Sequence, residues 1–281
     1  MTQRDILVIG GTGTTGRRVT RRLKELGHSV RIGSRSADPR FDWESAATWD
    51  AALDGVDAVY LVPFDGARLT RPFVARAEER GVRRVVLLSG RGVDVPGYMD
   101  LSQPAAQTHV DGEAAIRATR SLEWTVLRPG WFAQNFSEGF FRDAVRSGEL
   151  RLPGADGAAS FVDAEDIAAV AVAALTEDGH AGRTYELSGP RALNLAEVAG
   201  EISAASGRPV RYVPLAPVDF VAEMTAQGWS REDAEGYVEI LSPVRRGLDA
   251  HLSTGVQEAL GRQPRDFAEF AADAVGGGAW G

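Results

Sequence analysis

Apolar positions open the chain as a short uninterrupted run, Ile6-Leu7-Val8-Ile9, and as a second stretch broken once by an arginine, Val30-Arg31-Ile32, and between them recur at helical spacing, at Val19, Leu23 and Leu26. Uninterrupted aliphatic runs predict strands covered on both faces, and the three-to-four spacing predicts an amphipathic helix. Gly27 supplies the stop for that helix. The same reading continues down the chain. A short third strand is expected over 39–43 with Asp42 at its end, a helix over 48–53, and an all-apolar strand over 58–62 ending at Pro63-Phe64. A helix over 69–80 closed by Gly81 and a strand over 82–88 ending at Ser89-Gly90 come next. After a loop over 91–104, a helix over 105–120 precedes a strand over 124–127 that runs into Arg128-Pro129-Gly130. An extended piece over 160–163, a helix over 165–175 capped by Asp163, and a strand over 185–188 complete this half. Beyond Gly189-Pro190 the pattern is helical over 194–206, 217–227, 231–248, 253–260 and 264–275, with one strand over 210–213. The tail at Gly276-Gly277-Gly278 is expected to fray.

Alternation of strands and helices followed by a helical segment predicts an α/β fold, a doubly wound parallel sheet of the Rossmann type with a smaller, mostly helical lobe. The expected division is 1–150 for the sheet domain, with 160–189 returning to it, and 190–281 for the C-terminal lobe on the substrate side.

The first turn carries the first candidate chemistry. Gly10-Gly11-Thr12-Gly13-Thr14-Thr15-Gly16 lies between a strand and a helix, and its glycines read as Gly11-x-Gly13-x-x-Gly16 or Gly10-x-x-Gly13-x-x-Gly16. Either register serves a tight turn, close approach of backbone to a pyrophosphate, and close helix-to-strand packing. The pyrophosphate would rest on the unpaired N–H groups and positive end of the helix beginning near Thr15. The second strand runs out in Gly33-Ser34-Arg35-Ser36, with no acid before Asp38. An NAD site places Asp or Glu about 20 residues beyond the glycines to hold the ribose 2′-hydroxyl. Here a guanidinium and two hydroxyls suit a 2′-phosphate, so NADP(H) is expected in preference to NAD(H). Arg17 and Arg18 would add positive charge on the same side, while the bland alternative makes Arg35 a solvated loop residue. Asp42 would lie beside the adenine, or is a surface acid; Val62 and Pro63, at the carboxyl end of their strand, join the cofactor candidates and Phe64 the substrate side.

Composition narrows the setting. Of 281 residues 44% are hydrophobic and 25% charged, with a net charge of −8, an ordinary globular composition that argues against nucleic acid as partner. No apolar run approaches the ~18 residues of a membrane span. Residues 1–4 lead straight into the first strand and leave no room for a signal peptide, so a cytoplasmic protein, monomer or homodimer, is expected. There is no cysteine, and His28, His109, His180 and His251 show no ligand spacing, so no metal site is expected. Lys24 is the single lysine.

These residues together resemble a known family. The glycine turn, Gly33-Ser34-Arg35-Ser36, Phe41-Asp42-Trp43, the segment from Trp124 through Arg128-Pro129-Gly130-Trp131-Phe132 to Asn135-Phe136, and Phe161-Val162-Asp163-Ala164-Glu165-Asp166-Ile167-Ala168 resemble the NmrA-like atypical short-chain dehydrogenases. Within them the pattern looks most like the branch of the agroclavine and festuclavine dehydrogenases and their bacterial relatives. The resemblance implies that Ser89 holds the catalytic serine position, with His109 as a pocket proton donor, or else as a surface or packing residue. It places Ser89, Pro129 and Gly130 along the nicotinamide, and Phe64, His109, Trp131, Phe132, Asn135 and Phe136 around the substrate. The aromatic side chains of that set are equally open to being core.

The departure from the wider family carries as much as the match. Mainstream members use Tyr-x-x-x-Lys on the helix after the fifth strand, where this chain has His109-x-x-x-Glu113, and one lysine in the first helix permits no such pair. Reduction of a simple ketone needs a strong proton donor at the developing alkoxide. The implied activity is therefore hydride transfer from NAD(P)H to an already electron-poor small molecule, bulky or aromatic, of the iminium, quinone or conjugated-dye type. The rival reading is a non-catalytic NADP(H)-binding redox sensor that regulates a partner protein. An epimerase acting on nucleotide sugars is weakened by the same missing pair.

Overall fold

The structure, a computed structural model, describes residues 3–65, 67–98 and 104–281. In chain order its first elements are β1 (Asp5–Ile9), α1 (Thr14–Glu25), β2 (Ser29–Gly33), α2 (Trp49–Leu53), β3 (Ala58–Leu61), α3 (Thr70–Glu79), β4 (Arg84–Leu88), α4 (Pro104–Arg117) and β5 (Glu123–Pro129). Then come α5 (Arg142–Ser147), β6 (Glu149–Leu152), β7 (Ala158–Ala159), α6 (Ala164–Thr176), β8 (Arg183–Leu187), β9 (Leu193–Asn194), α7 (Leu195–Ser206) and β10 (Arg211–Pro214). The last are α8 (Pro217–Ala226), α9 (Arg231–Ile240), α10 (Ser242–Arg245), α11 (Gly255–Leu260) and α12 (Phe267–Gly276). Residues 99–103, part of the loop expected over 91–104, lie outside the described residues. Among the described residues no helix is long and apolar enough to cross a membrane.

The chain divides into two compact units. The first is formed by the segments up to Pro129, Ala164–Leu187 and Thr254–Arg262. It holds a six-stranded, fully parallel sheet in the order β2-β1-β3-β4-β5-β8. The order changes direction at β1, whose neighbours are β2 on one side and β3 on the other, and a ligand crevice in such sheets lies at that switch point. Ile6 to Ile9 and Ala58 to Leu61 are at most 1% exposed, as strands covered on both faces require. The Ala- and Val-rich α6 is buried along nearly its whole length, and α1 lies against it. Glu165 at the start of α6 ties the pair, accepting hydrogen bonds from Arg18, Arg21 and Arg22 on α1.

The strand expected over 39–43 does not form. Phe41 donates its backbone N–H to Ser34 O at 2.9 Å, and the Trp49 indole donates to Asp42 O at 2.9 Å, so loop bonds meet the backbone that a ladder would have used. Its rings pay for that arrangement: Phe41, Trp43, Trp49 and Phe73 meet edge to face at centroid distances of 5.3–6.2 Å.

The second unit comprises Gly130–Asp163, Ser188–Ser253 and Gln263–Gly281. Its division from the first unit thus falls at Pro129 rather than near 150, and 254–262 returns to the first unit. The reason is packing. Phe136 and Phe141, which follow β5 in sequence, lie in one core with Phe161, Leu195, Ile202, Phe220, Phe267 and Phe270. Around this core stand the parallel pair β6–β10 and the antiparallel pair β7–β9. The helix expected over 231–248 is broken into α9 and α10, where Pro243 cannot donate to a continuing helix. Nor does the tail fray: Trp280 is 4% exposed and donates its indole N–H to Phe136 O at 2.7 Å.

Candidate active site

The glycine turn follows β1 at the switch point. Gly13 caps α1, its N–H donating to Gly10 O at 2.9 Å, and the first turn of α1 carries no acidic residue. The helix N-terminus is therefore positive and uncompensated. Two of the glycines serve different ends. A Cβ on Gly16 would lie 2.1 Å from Gly10 O, so Gly16 is demanded by the contact of helix and strand. A Cβ on Gly13 would meet only Gly10 O, at 3.3 Å, and Thr12 and Gly13 are exposed. This open cradle of backbone N–H groups fits a pyrophosphate. Gly10 stands at φ +74°, with Val62 within 3.0 Å of the place a side chain would take, so the turn lies beside the end of β3.

Thr15 does not face outward. Its Oγ1 accepts from the Tyr60 hydroxyl at 2.9 Å in the interior, and burial pushes the Tyr60 phenol well above its ordinary range. Its part in the turn is to hold α1 on β3. Thr14 gives its carbonyl to Arg18 at 2.8 Å, and Arg18 is otherwise occupied by Glu165, so Arg18 braces the helix instead of adding charge at a phosphate. Arg35 is exposed, and among the described residues no hydrogen bond or ion pair engages it. Ser34 is half-buried, 3.3 Å from the Ser36 hydroxyl. Asp42 is held below the usual carboxylate range by a hydrogen bond from Arg40, at 2.7 Å, and another from the Glu44 N–H. Val62, Pro63 and Phe64 are all half-buried at the end of β3.

At the end of β4 the structure brings together more than the sequence names. Glu113, on α4, accepts from the Ser89 hydroxyl at 2.7 Å and receives the Arg128 guanidinium as a fork, Nε and Nη2 each at 2.8 Å. Arg117, one turn further along α4, adds a contact at 2.7 Å, and Asp94 takes the remaining Arg128 nitrogen at 2.6 Å. Burial pushes the Glu113 carboxyl upward, but the bonds from Arg128 and Ser89 outweigh it, and the group ends below its ordinary value. Arg128 is raised, first by its bond to Glu113. A guanidinium at the end of an apolar strand, Val126-Leu127-Arg128, demands a buried partner; that was the signal in the sequence, and only the fold identifies Glu113 as the partner.

His109, one turn before Glu113 on α4, lays its ring over Gly90, with Cδ2 and Nε2 3.4 Å from where a Gly90 Cβ would sit. Its Nδ1 is buried without a hydrogen-bond partner among the described residues. Burial lowers its pKa from 6.5, more than the charges of Asp65 and Glu113 raise it, so the imidazole is neutral at pH 7. Pro129 gives its carbonyl to the Arg91 N–H at 3.1 Å.

The aromatic residues after β5 belong to the second unit, where they separate into two kinds. Phe136 is a correction to the expected pocket: it is 0% exposed, with Phe141, Phe161 and Phe267 at 4.9, 5.3 and 5.7 Å, and is core. Trp131, Phe132, Asn135 and Gly130 are half-buried. Trp131 stacks on Phe141 and donates its indole N–H to Asp249 at 3.1 Å. Phe132 bridges to Val162, and Asn135 closes its turn through its own N–H to Phe132 O at 3.1 Å.

Residues 10–178 match a family described as NAD(P)H-binding. The chain is 34% identical over 283 residues to the NAD(P)H azoreductase of Xenophilus azovorans, covering 95% of this chain and 96% of that protein. It is 32% identical over 287 residues to the agroclavine dehydrogenase of Claviceps fusiformis, covering 95% and 96%. Among solved structures, the Citrobacter sp. triphenylmethane reductase complexed with NADP(H) is similar in fold, with a TM-score of 0.76 over 96% of this chain and 99% of that one, at 21% identity.

Proposed function

Because this chain belongs to the NAD(P)H-binding family, among the NmrA-like atypical short-chain dehydrogenases, and is an oxidoreductase, we propose that it is an NADPH-dependent reductase of a bulky or aromatic, electron-poor small molecule of the iminium, quinone or conjugated-dye type. One observation carries this reading. At the end of β4, His109 is a neutral imidazole and Glu113 an ionised carboxylate, so neither of these two groups is an acid at neutral pH. The only lysine, Lys24, is exposed on α1. A site so furnished offers little to a ketone, whose reduction needs a proton at oxygen. The names of the azoreductase and the agroclavine dehydrogenase are in keeping with it.

Bound NADPH would supply the hydride: an iminium would take it at carbon while its C=N π pair returned to nitrogen, and the positive charge would pass from the acceptor to the oxidised nicotinamide without a proton. The protein's part is to bind and orient. We assign the pyrophosphate to the N–H groups at Gly10 through Gly16, with Thr12 and Thr14 alongside, and the 2′-phosphate to Arg35 and Ser34, which is the basis for preferring NADP(H). Asp42 is assigned to the adenine side, and Val62, Pro63, Ser89, Pro129 and Gly130 to the nicotinamide side. Phe64 and His109 of the first unit are assigned to substrate, and a substrate role for Trp131, Phe132 and Asn135 of the second unit rests on the family resemblance alone.

The test follows NADPH absorbance over a panel of iminium, quinone, azo and triarylmethane acceptors beside unactivated ketones. Turnover confined to the activated acceptors is expected. Ketones reduced equally well would overturn the reading, and silence on every acceptor with NADPH tightly bound would move it to a redox sensor.

A further inference from the structure

The Glu113 carboxylate is saturated. Its Oε1 accepts from the Ser89 hydroxyl at 2.7 Å and from Arg128 Nε at 2.8 Å, and its Oε2 from Arg128 Nη2 at 2.8 Å and Arg117 Nη1 at 2.7 Å. A carboxylate offers about four lone-pair sites, and all are taken. A serine hydroxyl has one proton and two lone pairs. Ser89 spends its proton on an anion held between two guanidinium groups, and among the described residues no other hydrogen bond engages that hydroxyl. Bonds to a charged acceptor are about twice as strong as neutral ones, so a carbonyl oxygen from a ligand competes poorly for the same proton. What Ser89 has left to offer is lone pairs.

We propose that Glu113 is a positioning residue that sets the polarity of Ser89, making its oxygen an acceptor toward ligands and thereby selecting cationic or N–H-bearing hydride acceptors over those that need a donor at a carbonyl oxygen. The proposal rests on the assignment of Ser89 to the ligand side made under the proposed function. A plain bracing role for Glu113 would need only the Arg128 fork. The bond to Ser89 is separate from that fork and reaches the residue at the end of β4, the sheet edge where such folds bind ligands.

The test uses the NADP⁺-loaded protein, in which no turnover occurs, and measures 1,4-naphthoquinone binding by quenching of tryptophan fluorescence. N-methylquinolinium, a flat cation of similar size without a carbonyl, is measured alongside. Ser89→Ala is expected to leave the naphthoquinone Kd within about two-fold, because no donated bond is lost. Glu113→Gln, which can donate its amide N–H to Ser89 and release the hydroxyl proton, is expected to tighten naphthoquinone about three- to ten-fold, the worth of a neutral hydrogen bond. In the Ser89→Ala/Glu113→Gln double variant that gain should vanish, while quinolinium, drawn by the Ser89 lone pairs, should weaken in Ser89→Ala and gain nothing in Glu113→Gln. A brace alone would not produce tighter binding that depends on Ser89. A three-fold or greater weakening of naphthoquinone by Ser89→Ala would show that Ser89 already donates and would overturn the proposal, as would a folded Glu113→Gln protein with unchanged affinity. Should Glu113→Gln not fold, Ser89→Ala decides through the pair of ligands: quinolinium weakened with naphthoquinone unchanged supports the proposal, and both unchanged overturns it. Failure of the reductase reading shows separately, as absence of NADPH oxidation, and leaves these binding shifts readable.

Discussion

Gly13 and Gly16 lie three residues apart in one turn, yet their substitution should fail in different ways. A Cβ on Gly16 falls 2.1 Å from Gly10 O, 2.7 Å from Gly10 C and 2.8 Å from Gly11 Cα. All three are backbone atoms, which cannot swing aside as the end of a side chain does, so the turn must open and α1 must lift from β1. Overpacking costs about 1–3 kcal/mol, and an approach this close to main chain belongs at about 3 kcal/mol. At roughly 2–4 °C per kcal/mol for a chain of this size, Gly16→Ala should melt about 6–12 °C below wild type. Gly13 has φ −78°, is exposed, and offers an added Cβ only one neighbour, Gly10 O at 3.3 Å. Gly13→Val should therefore fold, losing about 1 kcal/mol through a poorer N-cap. Its methyl groups would fill the space before the α1 N–H groups, and NADPH affinity should fall at least about 100-fold, or about 2.7 kcal/mol. Thermal melts followed by circular dichroism and calorimetric NADPH titrations of both variants give the answer. A Gly16→Ala protein that melts with wild type, or a folded Gly13→Val protein that binds NADPH normally, would refute the division of roles.

Arg35→Ala should weaken NADPH about ten- to a hundred-fold and leave NADH nearly unchanged, since a bond to a charged group is worth about 1.5–3 kcal/mol; parallel fluorescence titrations check it, and equal losses for both cofactors would remove Arg35 from the 2′-phosphate. Phe136→Ala should destabilise the protein by about 3–5 kcal/mol in urea melts, as a fully buried ring does. Trp131→Ala should raise KM in the acceptor assay if its half-buried ring touches substrate; an unchanged KM would confine it to its bond with Asp249. His109 has a folded pKa below 6.5, so the unfolded chain takes up the proton first on acidification. The stability due to its burial is complete above about pH 6.5 and is lost as pH falls from there toward the folded pKa. His109→Phe should flatten the slope of stability between pH 7 and 5, with His28 and His180, both also lowered by burial, leaving a residual slope of the same sign. The same variant should reduce turnover only about ten-fold, below the ~10²–10⁴ of an essential general acid.

The sequence by itself determined the strands of the parallel sheet from β1 to β5 and the glycine turn, because each is written in neighbouring residues. Runs such as Ile6-Leu7-Val8-Ile9, helical spacing over Val19 and Leu23, and three glycines between them need no distant partner to be read. What it left open depended on residues far apart. Phe41 and Trp43 look like a strand until Trp49 and Phe73 supply an aromatic cluster that favours a loop. Phe136 reads equally as pocket or core until Phe161 and Phe267 close around it. The bond between Ser89 and Glu113 spans 24 residues and that between Glu113 and Arg128 spans 15, joining a strand end, a helix and the next strand end. Side-chain periodicity reports which face of an element is covered; which charge meets which, and in which direction a hydroxyl must point, follows from how the covered faces pack, and only the tertiary structure decides that.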